Sequence, residues 1–244
     1  MSAPTVWVAG VDGCRSGWAV VFRDIDRWES PRLALAERFR DILEAPEAPQ
    51  IIAVDMPIGL PERTGPGGRA AERAARPQLG PRQSSVFSVP ARPAVMCEDY
   101  REACSLALAH SDPPRKVSKQ CFHLFPKIRE IDALMTPALE ARVYEVHPEL
   151  SFWRLNGGHA MILPKKVKGR AHGPGLAERR ALLQSHGFEP EFLDQKRPSG
   201  VGADDLIDAS VNALIAEQIA SGQAQSFPPD PPRDAKGLRI AIWA

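Results

Sequence analysis

The stretch Val6–Gly13, VWVAGVDG, and its continuation Gly17–Asp24, GWAVVFRD, decide the architecture. The first is a short apolar run closed by Gly-Asp-Gly, the pattern of a buried strand entering a turn. The second resumes close enough to pair with it antiparallel. Pro31–Ala36 supplies a third, less regular strand, and Glu37–Ala45 (ERFRDILEA) sets Phe39, Ile42 and Leu43 at helical spacing. Gln50–Pro57 (QIIAVDMP) is another continuous apolar run, stopped by Pro57 with Asp55 at its end. Ala141–Pro148 (ARVYEVHP) is a third, carrying Glu145. A strand hairpin followed by strands alternating with helices predicts an α/β fold, a mixed sheet flanked by helices.

Between the last two runs lies a helix-rich, basic insertion at about residues 62–135. Helices are expected around Gly68–Arg76, Asp99–His110 and Lys127–Met135. Beyond it, Leu176–Gly187 reads as a helix with Gly187 as its cap. Ala203–Gly222 (ADDLIDASVNALIAEQIASG) is the most regular helix of the chain, and Leu238–Ala244 a terminal strand. No repeat is visible, and one domain over residues 1–244 is expected.

With 244 residues, 43% hydrophobic and 25% charged, the chain has the composition of a soluble globular protein with a sizeable core. A net charge of +1 gives no global attraction to polyanions, so any such site must come from local clustering. No apolar run reaches the ~18 residues of a membrane span. The N-terminus lacks a basic segment followed by an apolar one, and a cytoplasmic location is expected. Cys14, Cys97, Cys104 and Cys121 have no metal-ligand spacing and read as reduced thiols. The 24 prolines, about twice average usage, punctuate well-defined connections.

The acidic residues carry the chemistry. Asp12 and Asp55 end apolar strands, Glu145 lies in one, and Asp205 and Asp208 open the long helix three residues apart, on one face. A carboxylate beside a buried strand is costly unless paired or bound to a cation. Several converging on one place suit Mg²⁺ or Mn²⁺, which prefer hard oxygen ligands. Taken singly, each is equally a turn former, an ion-pair partner or, for Asp204 and Asp205, a helix cap.

The ordered set GVDGCRSGW (Gly10–Trp18), AVDMPIGLP (Ala53–Pro61), LGPRQSSVFSVPAR (Leu79–Arg92), PKIREID (Pro126–Asp132), VYEVHPELSF (Val143–Phe152) and ADDLIDA (Ala203–Ala209) resembles the DUF429 family, regarded as RNase H-fold nucleases. The resemblance covers nearly the whole chain. It implies an RNase H-like sheet: a three-strand antiparallel hairpin, further parallel strands, and a helix returning an acidic residue to the site. It also implies that Asp12, Asp55, Glu145 and one or both of Asp205 and Asp208 hold two metal ions. The reaction implied is two-metal phosphodiester hydrolysis, one ion activating water and the other stabilising the leaving oxygen. Asp204 falls outside the D-x-x-D spacing and ranks below Asp205.

Arg63–Arg129 holds twelve Lys or Arg against five Asp or Glu. Arg69, Arg73 and Arg76 at helical spacing, with Arg82, Ser84, Ser85, Lys119 and Lys127, suit contacts to phosphate groups; a solvated face with ion pairs to Glu72 is the plainer reading. Arg15, beside Asp12, suits an anion as well. Pro164–Arg170 (PKKVKGR) reads as a loop, either a lid or ordinary surface. His147 is a proton shuttle or ligand-orienting group, or else a histidine satisfied by backbone. Glu149 and Trp153 are assigned to packing or loop structure, Trp18 to the core, and Cys14 to a small buried position.

The function expected is a Mg²⁺- or Mn²⁺-dependent nuclease acting on nucleic acid or another phosphate-containing substrate. One alternative is a phosphotransferase or ATPase-like enzyme of the same superfamily, against which stands the lack of a second Gly-rich phosphate loop or a P-loop. Another is a non-catalytic polyanion-binding protein of this fold. Assembly is left open, a homodimer being the commonest form.

Overall fold

Period-two alternation along the first strand decides which layer each residue serves. In the computed structural model, which describes residues 5–167 and 169–244, Trp7–Cys14 forms β1. Its residues Trp7, Ala9 and Val11 join one core cluster, whereas Val8 joins another on the opposite face. Gly17–Asp24 (β2) and Arg32–Ala36 (β3) complete the antiparallel hairpin sheet. A short helix, Phe39–Leu43 (α1), crosses to Ile51–Val54 (β4), which pairs parallel with β1; Val143–Glu145 (β5) then pairs parallel with β4. The sheet order is β3-β2-β1-β4-β5. This five-stranded mixed sheet flanked by helices has the expected RNase H-like organisation.

The β4–β5 connection holds Ala70–Ala75 (α2), Arg92–Val95 (α3), Tyr100–Ala109 (α4), Lys119–Phe122 (α5) and Phe125–Leu134 (α6). Tyr100–Ala109 starts where Asp99 caps it, its Oδ1 accepting from the Arg101 and Glu102 amides at 2.9 Å. After α2 the chain continues as a 3-10 helix, Arg76–Ser85, broken at Gly80. The basic segment is built into the domain: Val95, Ala103, Phe125, Ile128 and Ile131 share one apolar cluster with Ala9, Val11, Trp18 and Ile52.

The other face is covered by Ala203–Ala220 (α10), preceded by Pro148–Leu155 (α7), the ribbon Lys166–Val167 (β6) and Arg170–Ala171 (β7), Gly173–Ser185 (α8) and Pro190–Asp194 (α9). Lys168, within the basic run Pro164–Arg170, lies outside the described residues, as do residues 1–4. Helix α10 lies directly on β1 at Gly10, where a Cβ would stand 2.1 Å from Ala209 O and Ala213 N. Only a residue without a side chain permits that approach. The buried Asn212 amide fixes the register by donating to Val11 O at 3.0 Å.

The terminal strand expected over Leu238–Ala244 is short. Ile242–Trp243 (β9) pairs antiparallel with Ser226–Phe227 (β8) in a separate ribbon, which touches the main sheet through a Val146–Trp243 bridge. Among the described residues no helix is long and apolar enough to cross a membrane.

Candidate functional site

Asp12 and Asp55 are neighbours because their strands are. Val11 pairs with Val54, and the Asp55 amide extends the ladder by donating to Val11 O at 3.0 Å. Both carboxylates are in phase with the α10 side of the sheet, Asp12 with Val8 and Gly10, Asp55 with Ile51 and Ala53. Asp208 reaches the same place from the first turns of α10, on the helical stripe that also carries Asn212. Asp12 and Asp208 are buried, at 8% and 3% exposure. Together they line a cavity of about 340 Å³ whose wall includes Ser85, His147, Glu149, Lys165, Asp204 and Asp205.

The charges of these groups act on one another. Burial raises the Asp12 carboxyl well above its ordinary value, and the charges of Asp208 and Asp55 add to the rise. Burial likewise pushes Asp55 and Asp208 up to about 6, against the opposing pull of Lys165. The Lys165 ammonium donates to Asp208 Oδ2. Its own proton is held more tightly than usual: Asp208, Asp12 and Asp55 outweigh the desolvation of its burial. One ammonium against three carboxylates does not offset the burial that holds their values high. Asp208 Oδ1 is buried without a hydrogen-bond partner among the described residues.

Glu145 belongs to a different network. It stands opposite Val54 in the β4–β5 register, in phase with Val143 on the α6 side of the sheet. There it accepts from Arg69 Nη2 at 2.5 Å, from Arg69 Nη1 at 3.1 Å and from the Ile58 amide at 2.6 Å. Burial pushes its carboxyl up to about 7 although Arg69 opposes the shift. Glu145 and Arg69 line the same cavity as Asp12, Asp55 and Asp208, but strand alternation sets Glu145 out of phase with Asp55, and Arg69 engages both its oxygens.

Arg69 is corrected with it. Expected to meet phosphate, its guanidinium is instead buried between Glu145 and Glu72, with Nη1 also donating to Ile58 O and Gly59 O. Arg73 donates to Gly68 O, and Arg76 to Gly67 O, Val86 O and Ser88 Oγ. These arginines serve mainly to hold a proline- and glycine-rich connection whose carbonyls lack secondary-structure partners. Arg82 reaches Ile162 O at 3.3 Å, Ser84 is exposed, and Ser85 on the cavity wall donates to Arg82 O. Lys119 is exposed at the start of α5, and Arg15 is exposed in the β1–β2 turn. Lys127 approaches the acidic side of the site, its ammonium 2.5 Å from Gly17 O and 4.2 Å from the Trp18 ring centre.

Asp205 caps α10, Oδ2 accepting from the Gly202 amide at 2.7 Å, while Asp204 pairs with Lys166 at 2.6 Å. The D-x-x-D pair thus divides: the first acid starts the helix and the second enters the centre. His147 caps α7, its Nε2 lies 3.4 Å from Ser85 O, and Nδ1 is buried without a partner among the described residues. Burial and the Lys165 charge lower its pKa and so favour the neutral ring.

Two residues join the site that the sequence did not assign to it. Glu149 acts electrostatically on Asp55 and Asp208, and is itself clasped by the buried Arg179 at 2.7 and 2.8 Å. Its signal was present: Pro148 followed by an acid opens a helix directly after a strand, bringing Glu149 to the same sheet edge. Lys165 had no such signal, lying in a run of like charges.

Asp12, Asp55 and Asp208 offer oxygen donors only, the ligand type hard divalent cations take, and Asp208 Oδ1 has no hydrogen-bond partner among the described residues. As the side chains stand, no group of three or more His, Cys, Asp or Glu among the described residues is placed so that it could hold a metal ion. No curated protein and no solved structure matches the chain. The model of DUF429, a family described as protein of unknown function, matches residues 10–233. That match runs from within β1 to beyond β8 and takes in each acidic residue of the centre: the chain belongs to the DUF429 family.

Proposed function

We propose that the protein is a metal-dependent phosphodiester hydrolase, with Asp12, Asp55 and Asp208 holding Mg²⁺ or Mn²⁺. The observation that carries this reading is the meeting of three buried or half-buried carboxylates at one end of an RNase H-like sheet, with an unpartnered oxygen on Asp208. A bound divalent ion there would activate water and stabilise charge on a leaving oxygen. The chain's own groups have definable tasks. Asp12, from the first strand, sits between Asp55 on the neighbouring strand and Asp208 on the covering helix. Arg179 fixes Glu149 beside them, and neutral His147, on the cavity wall, is placed to accept a proton.

Lys119, Lys127, Ser84 and Arg15 are the remaining candidates for anionic substrate groups, since their donors are not all taken up internally, whereas the Ser85 hydroxyl is spent on Arg82 O. Four free, buried thiols support the expected cytoplasmic location. The test is cleavage of a panel of DNA, RNA and branched-junction substrates with Mn²⁺ or Mg²⁺, comparing wild type with Asp12→Asn. Metal-dependent cleavage lost on that substitution is expected; cleavage that survives it unchanged would reject the reading.

A further inference from the structure

We propose that Lys165 is an intramolecular counter-ion for the acidic centre, which a divalent cation must displace to bind. The inference rests on the metal-site reading above and assigns it a gate. The Lys165 ammonium pairs directly with Asp208 and also acts on Asp12 and Asp55. A buried or half-buried group of three carboxylates would otherwise hold itself apart by like-charge repulsion. Lys165 therefore stabilises the empty centre and competes for the oxygen atoms a metal would use.

The surrounding chain is built so that the side chain can leave while the backbone stays. Just before Lys165 the chain is tied down: the Glu178 carboxylate accepts from the Ile162 amide at 3.0 Å and the Leu163 amide at 2.9 Å. Arg179 Nη1 donates to Leu163 O at 2.9 Å, and the His172 ring lies 3.1 Å from Pro164 O. Just after it, Lys166, Val167, Arg170 and Ala171 of the β6–β7 ribbon are all exposed. Lys165 thus stands where an anchored segment meets an open one, with 24% of its side chain already facing solvent. Its four-carbon stem can swing about that anchor, the side-chain bond it gives up being its own to Asp208. Lys166, paired with Asp204 one helical turn before Asp208, holds the ribbon against α10 meanwhile.

A doubly charged ion satisfies three carboxylates better than one ammonium does, so exchange is favoured once metal is present. The displaced ammonium remains at the cavity mouth, where an anionic substrate group enters. Occupation by metal therefore precedes use of Lys165 by substrate.

The test is calorimetric titration of Mn²⁺ into the full chain as wild type, Lys165→Met, Lys165→Gln and Asp12→Asn. Tighter binding by at least tenfold in the Lys165 variants, with weaker binding in Asp12→Asn, is the expected result. Equal or weaker binding in a folded Lys165 variant, with normal binding by wild type, overturns the counter-ion role and leaves the metal site standing. No Mn²⁺ binding by wild type at millimolar concentration overturns both. A second measurement needs no variant: amine acetylation of wild type, read residue by residue by mass spectrometry. Lys165 labelling should rise severalfold on adding saturating Mg²⁺, whereas Lys236, paired with Asp132 away from the centre, should not change. Unchanged Lys165 labelling overturns the proposal.

Discussion

Arg69 grips Glu145 through both terminal nitrogens, at 2.5 and 3.1 Å, on the wall of the cavity that Asp12 also lines. The pair is buried, 1% and 4% exposed in their side chains, and Glu72 completes it at 2.6 Å. Removing one partner of such a pair leaves uncompensated charge in a dry place. Arg69→Met should therefore cost about 3–5 kcal/mol in urea unfolding.

On the proposed function, the same relationship distinguishes Glu145 from the acids that would hold metal. Glu145→Gln should keep Mn²⁺ affinity within about threefold of wild type, while Asp12→Asn lowers it at least tenfold, or about 1.4 kcal/mol. Calorimetric titration of both variants checks this. A tenfold loss in Glu145→Gln, with the fold intact by circular dichroism, would return Glu145 to the ligand set.

Asp55 should trade stability for function. Its carboxyl is raised to about 6 in the folded chain, so the folded state prefers the protonated form. Its contribution is therefore present below its ordinary value, near pH 4, and is lost as the pH rises through about 6. At pH 7.5 without metal, Asp55→Asn should be more stable than wild type by on the order of 1–2 kcal/mol, a gain that shrinks toward pH 4.5. Thermal melts at the two pH values in the presence of a chelator decide it. A variant less stable than wild type at pH 7.5 would contradict the assignment.

Gly10→Ala tests how α10 brings Asp208 to Asp12. With Ala209 O and Ala213 N 2.1 Å from the new methyl position, the helix must lift from β1. A loss of about 3 kcal/mol is expected, together with weakened metal binding. A variant with wild-type melting temperature would mean the helix is less closely seated than described.

Cys121 is 1% exposed, and burial pushes its thiol up to about 12. It should resist a thiol-specific reagent at pH 8 in the native protein and react only on unfolding. Rapid native modification at this position, mapped by mass spectrometry, would show that the α5 region opens.

Much of the sheet was legible because apolar runs with strand periodicity report burial locally. The runs around β1, β2 and β4, and Gly10 through Asp12 in particular, need only their own neighbours to be read. Helix α7 was missed because Pro148 was taken as the stop of a strand, although it equally begins a helix. Applied to Val143–Glu145, the same alternation would have shown Glu145 out of phase with Asp55, so that correction was available from the sequence.

By itself, then, the sequence determined the strand order of the hairpin, the long acidic-headed helix, and Asp12, Asp55, Glu145, Asp205 and Asp208 as the acids of interest, since each depends on spacing within a few residues. Only the tertiary structure decided their company. Arg69 meets Glu145 across 76 residues and Lys165 meets Asp208 across 43. Such pairings are set by which faces pack together, and electrostatic attraction between side chains leaves no period in the chain to announce them.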